Sequence, residues 1–432
     1  GSLLFDQGRY DEAKAEFEKS LSLSPDDADT LNSLGRIAVA QQRYEDAEQL
    51  FRKAIELSPS EPVFHYNLGL ALKNLRRYPD AEKEYRAALK LDEGYVRARK
   101  SLGGLLFDRG LHDEAKVEFE RALSLNSNDA DAINSIGRVS VAQQQYEDAE
   151  RYFRKASELT SEEPAYHYNL GLALQHLKQY PEAEKEYRAA LKLNKGYLLA
   201  RRGLGELLFD QGLYDEAKAE LEKALALDPN DAGTQNGLGR VALEQQRYED
   251  SERFFRKASE LAPEEPAYHY NFGLALKNLN RYEEAEKEYR AALSLKESYL
   301  LARQGLGGLL YDQGLYDEAK AEFEKALALN SNDAGTYNGL GRVALEQHRY
   351  EDAEEFFRRA SELTPKEPAY HYNLGLTLKS LSSFEGAEKE FRRALEVDKE
   401  YYLAYNGLGG LFFEKKRYDQ AKEEFKRSLS LN

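Results

Sequence analysis

The sequence predicts an all-α protein made of short helix pairs stacked one upon the next. Three observations carry that expectation. A 34-residue skeleton returns along the whole 432-residue chain without insertion or deletion. Small residues recur at fixed places in it, and prolines recur where helices would begin and end. A period this short is the mark of a repeat array rather than of several globular domains.

The stretch 28–61, ADTLNSLGRIAVAQQRYEDAEQLFRKAIELSPSE, shows the unit. Its first helix is expected over about 28–41 and its second over about 44–57. In the second, Ala47, Leu50, Phe51, Ala54 and Ile55 fall at i, i+3, i+4, i+7 and i+8, an apolar stripe of helical period. Gly35 returns every 34 residues from Gly1 to Gly409, and Ala47 and Ala54 head two further small-residue columns. Small side chains let helix axes approach closely, with Phe51-type rings beside them. Tyr44 opens the second helix, where its ring can cover the turn. Pro25, Pro59, Pro229, Pro263 and Pro365 follow second helices and end them. Pro62, Pro164, Pro266 and Pro368 sit where a first helix can begin, since the first turn needs no donor there.

A longer period of 102 residues overlies the short one, as Asp11, Asp113, Asp215, Asp317 and Asp419 show. Units therefore come in three types. The first type starts at 28, 130, 232 and 334, the second at 62, 164, 266 and 368, the third at 96, 198, 300 and 402. A truncated first unit, 1–27, brings the number to thirteen in a single domain, 1–432.

Composition narrows function by exclusion. The formal charge is -16 with no basic stripe, so nucleic acid is not an expected partner. No apolar run approaches 18 residues, so no membrane span is expected. Cysteine is absent, which removes disulfides, thiolate nucleophiles and thiolate metal sites and fits an oxidising or a reducing compartment alike. Methionine is also absent and the chain opens at Gly1 without a leader, which points to an excised or engineered piece with any targeting signal outside it.

The pattern of Leu31, Leu34, Gly35, Ala47, Phe51, Ala54 and Pro59 resembles the tetratricopeptide repeat, and the resemblance covers essentially the whole chain. The tryptophan usual in the family's first helix is absent; His65, His167, His269 and His371 stand there in the second type. The resemblance implies a right-handed superhelical α-solenoid of antiparallel helix pairs, with first helices lining a concave groove. It also implies a non-enzymatic interaction scaffold that binds a protein or an extended peptide, without a cofactor. Two other functions stay open: a self-associating or structural solenoid, which could form homo-oligomers through its open ends, and the targeting arm of a larger enzyme.

In the family's register, positions 2, 5, 6, 9, 12 and 13 of each unit face the groove. This places Asn32, Asn134, Asn236 and Asn338 there, with Arg36, Arg138, Arg240 and Arg342 one turn on. It also places Tyr66, Tyr168, Tyr270 and Tyr372, each followed by Asn67, Asn169, Asn271 or Asn373. Asparagine offers a donor and an acceptor to a peptide unit, arginine a fork for a carboxylate or carbonyl, and tyrosine broad contact area. Asparagine can equally bridge helices, and tyrosine can pack into the next unit. The clamp some members use for a C-terminal carboxylate is not met, because Asn32 and Arg36 stand in the reverse order and Arg202 is followed one turn on by Glu206.

Other chemistry is sparse. The four histidines lie 102 residues apart, too far to share a metal, and packing between helices is expected of them. Acidic and basic residues fit i,i+4 surface pairs such as Lys14 with Glu18 and Glu82 with Arg86. The GLGGLL-type stretches read as helix, not as a phosphate loop. Their extra glycines, Gly104, Gly308, Gly410, Gly203, Gly305 and Gly407, fit either clearance for a ligand backbone or local softness.

Overall fold

The computed structural model describes residues 1–431, which form 26 helices and no strand. The helices group into two compact units, Gly1–Gly212 and Leu213–Asn432, each a succession of helix pairs. The first full pair is Ala28–Ala40 and Tyr44–Leu57, within a residue of the sequence expectation. Three residues join the two helices, and the helices pack along their lengths, so they run antiparallel.

Helix starts follow the unit type. In the first type an aspartate side chain caps the helix: Asp129 accepts from the Ala132 N–H at 3.0 Å and Asp231 from the Thr234 N–H at 2.8 Å. In the second type Pro62, Pro164, Pro266 and Pro368 occupy the first position instead.

The turn inside each unit is a left-handed stop. Arg43 N–H donates to the Ala38 carbonyl at 2.8 Å and Gln42 N–H to the Val39 carbonyl at 2.9 Å, which places Gln42 at φ 59°. Third-type units use Gly110, Gly212 and Gly314 there, at φ 76° to 78°. Gln42, Gln144, Gln246 and His348 adopt the same conformation with a Cβ. A left-handed residue other than glycine costs about 1–2 kcal/mol, part of which glycine loses again in unfolded-state entropy. Gln246→Gly is therefore expected to stabilise the protein by about 0.5–1 kcal/mol in denaturant unfolding. A loss of stability would contradict the assigned turn.

Each second helix except Tyr214–Leu227, which has Leu221 in its place, drives an aromatic ring against the glycine column. Phe51 is 0% exposed, and a Cβ on Gly35 would stand 2.5 Å from its ring. The same ring position also presses on the next unit. A Cβ on Gly203 would meet Tyr187 at 2.8 Å, on Gly305 Tyr289 at 2.9 Å, and on Gly407 Phe391 at 2.6 Å. These three glycines are thus set by ring packing, not by softness or by a ligand. Gly104 differs, with nothing within 4 Å of its Cβ direction. Gly308 and Gly410 meet only a lysine ammonium, at 3.4 and 3.5 Å.

Candidate binding surface

The first helices place the candidate residues side by side, one unit apart. Asn67 Nδ2 donates to Asn32 Oδ1 at 2.7 Å, and both side chains are buried. The pair recurs as Asn169 to Asn134 at 2.8 Å, Asn271 to Asn236 at 2.7 Å and Asn373 to Asn338 at 2.8 Å. Of the two roles open to these asparagines, bridging adjacent first helices is what the structure contains. Each bridge uses one acceptor and one N–H. An amide donor on Asn32 and a carbonyl on Asn67 stay without a side-chain hydrogen bond among the described residues.

The tyrosines pack in threes. Tyr66 lies 6.1 Å from Tyr85 and 5.2 Å, edge-on, from Tyr95. Tyr168 with Tyr187 and Tyr197, and Tyr270 with Tyr289 and Tyr299, repeat this at 5.9 to 6.0 Å. In the last copy Tyr372 meets Phe391 and Tyr401 at 5.9 Å. Burial pushes the Tyr270 and Tyr372 phenols up from their ordinary range. Burial, with Tyr372 alongside, pushes Tyr401 up to about 12. These hydroxyls stay protonated. The rings join one unit to the next and keep only part of their surface exposed.

The arginines stack backwards. Arg36 lies over Phe5 at 4.5 Å, Arg138 over Phe107 at 4.8 Å and Arg342 over Tyr311 at 4.1 Å. Arg240 is engaged as well. A row of polar contacts flanks them: Lys73 with Asp108 at 3.1 Å, Gln175 with Asp210 at 2.7 Å, Lys277 with Asp312 at 2.8 Å and Lys379 with Glu414 at 2.8 Å. Over Gly104 a cleft of about 350 Å³ opens, lined by Lys73, Lys100, Asp108, Asn134 and Arg138. Its walls carry three cations, Lys73, Lys100 and Arg138, against two carboxylates, Asp108 and Asp131, so polar donors predominate.

At the fourth position of the first helix, where the family's tryptophan is missing and packing between helices is expected, the histidines make two specific hydrogen bonds. His371 reaches Glu390 through Nδ1 at 2.9 Å and the Pro365 carbonyl through Nε2 at 3.1 Å. A carbonyl and a carboxylate both accept, so the doubly protonated ring is the form that can donate to both. The hydrogen bond to Glu390 outweighs burial and raises the His371 pKa. His65, His167 and His269 make the same two contacts. In third-type units Arg303 replaces histidine, donating to Glu322 at 3.0 Å and to the Glu297 carbonyl at 3.1 Å. Gln235 and Tyr337 keep only the carbonyl, at 3.0 and 3.3 Å. Leu31 and Ile133 hold the position with apolar side chains, so the contact to the carbonyl six residues back is made where histidine, arginine, glutamine or tyrosine stands there. The signal for it was the glutamate nineteen residues after each histidine.

Three sequence profiles, each described as tetratricopeptide repeat, match the chain. One covers 1–62, 66–131, 135–197 and 372–431, another 176–232, 208–271 and 310–375, and the third 266–299. No curated protein sequence matches significantly. Among solved structures, "Crystal structure of APC/C hetero-tetramer Cut9-Hcn1" aligns with TM-score 0.61 and 16% identity over 99% of this chain and 92% of that one. Tom70 from yeast aligns with TM-score 0.45 and 16% identity over 93% and 96% of the two chains.

Proposed function

Because the chain belongs to the tetratricopeptide repeat family, whose fold is generally a non-catalytic scaffold resembling protein-interaction modules, we propose that its first-helix face holds an extended peptide. The observation that carries this reading is the Asn–Asn bridge. Four times along the chain it leaves one donor and one acceptor uncommitted, the complement of a peptide unit. Beside each bridge stands a part-exposed tyrosine already held by its neighbours, so contact costs little side-chain entropy. Each compact unit holds two copies of the patch, and linked copies add by avidity.

The test uses peptides selected against the full chain from a random 16-residue display library. Gly104→Trp fills the cleft over Gly104 without meeting the core, since nothing lies near its Cβ direction. Glu120→Trp places the same bulk on an exposed second-helix position. Selected peptides are expected to bind Gly104→Trp about tenfold or more weakly, a change of about 1.4 kcal/mol. Glu120→Trp should leave affinity unchanged. Equal affinity for both variants and the parent would refute the reading.

A further inference from the structure

The four 102-residue copies differ at one place on the first-helix face, and the difference describes a ligand. In one copy the protein fills the place itself. Gln175 Oε1 accepts from the Tyr187 hydroxyl at 2.8 Å, and Gln175 Nε2 donates to Asp210 at 2.7 Å. A carboxamide is the group that can do both at once.

In the next copy Tyr289 and Asp312 take the places of Tyr187 and Asp210, but Lys277 replaces Gln175. The Lys277 ammonium reaches Asp312 at 2.8 Å, yet it has only donors and gives the phenol nothing to donate to. The Tyr289 hydroxyl is buried, its residue 0% exposed, and it makes no hydrogen bond. Such a group is rare in a native protein and calls for a partner. Burial, with Tyr270 and Asp312 nearby, raises its pKa, so it remains a donor. Space is provided too. Gly308 stands where the filled copy has Glu206, and its Cβ direction meets only Lys277 Nζ, at 3.4 Å.

The other two copies frame the case. In the first, Lys73 pairs with Asp108 at 3.1 Å, the Tyr85 hydroxyl also lacks a well-formed hydrogen bond, and the space at Gly104 is open. There Ser101 stands beside the phenol in place of Gly305. In the last copy Phe391 removes the hydroxyl altogether. Only one copy closes the place with its own amide.

We propose that Tyr289, Asp312 and Gly308 bind the side-chain carboxamide of a glutamine or asparagine on the ligand, in the place that Gln175 fills in the sibling copy. The amide oxygen accepts from the Tyr289 hydroxyl and its NH2 donates to Asp312. Lys277, a long side chain 28% exposed, turns out to solvent, and Arg342, 4.0 Å from Asp312, keeps a cation at the carboxylate. Tyr85 and Asp108 form the equivalent site over Gly104. The inference rests on the reading that this face holds a peptide.

The test measures binding of three fluorescein-labelled peptides to the full chain: acetyl-(Ser-Gln-Ala)5-amide and its Glu and Leu counterparts. The glutamine peptide is expected to bind at least about fivefold more tightly than either, since one hydrogen bond to a buried partner is worth that much. Lys277→Gln with Lys73→Gln fills both places from within and should abolish the preference. Tyr289→Phe with Tyr85→Phe should cut it about three- to tenfold without lowering the unfolding midpoint. A lower midpoint would mean that the hydroxyls have partners inside the protein, and would overturn the inference. Equal binding of all three peptides would overturn it while leaving the peptide reading intact. Binding by none would overturn the inference, while the selected peptides decide the peptide reading separately.

Discussion

Phe357→Ala is expected to lower the unfolding free energy by roughly 3–5 kcal/mol, the usual range for removing a fully buried phenylalanine. The ring is 0% exposed. It sits between its own first helix, where a Cβ on Gly341 would come within 2.7 Å, and a cluster that includes Leu374, Ala387 and Phe391 of the following unit. Truncation therefore removes burial inside a unit and between units together. On the Gly341 side backbone rather than a side chain faces the ring, so no side chain there can fill the gap. Repeat arrays couple mainly to nearest neighbours, so exchange protection should fall first in residues 334–397. Denaturant unfolding checks the magnitude, and a loss below about 1 kcal/mol would show that the ring is not the wedge described here.

Gly239→Val approaches the same layer from the other side. A Cβ on Gly239 would stand 2.6 Å from the Phe255 ring, which is 0% exposed. The helices must part, and overpacking of this kind costs about 1–3 kcal/mol and sometimes more. A β-branched residue adds its own small helix penalty. Gly308→Ala is the control, because its Cβ direction meets only the end of a flexible lysine. That change should stabilise the helix by up to about 1 kcal/mol. If both changes proved equally harmless in denaturant unfolding, the glycine column would not be set by the ring.

The fold was largely legible because the features that build it are local and repeat. Gly35, Ala47, Phe51 and Pro62 mark helix faces and ends without reference to any other unit, and helix ends fall within a residue of expectation. The first-helix face was legible only in composition. Asn32 with Asn67, Gln175 with Asp210 and Tyr311 with Glu346 are each 35 residues apart, one unit plus one residue. That offset is set by how neighbouring first helices pack, and periodicity alone does not reveal it. Gly305 and Gly308 look alike in sequence, yet one abuts the Tyr289 ring and the other faces an ammonium. Only the position of the ring separates them.

The offset also explains why the 102-residue block matters more to the surface than the 34-residue unit does. An Asn bridge needs a first-type and a second-type helix, and the phenol and carboxylate beside it need a second-type and a third-type helix. One block supplies all of them.

The central claim, that the first-helix face takes an extended peptide block by block, is tested most directly by hydrogen exchange on the full chain with and without a selected peptide. The account predicts added protection in the first helices, centred on segments such as Pro164–His176 and Pro266–Asn278, which are 102 residues apart. Protection confined to second helices such as Tyr180–Leu193 and Tyr282–Leu295 would contradict it.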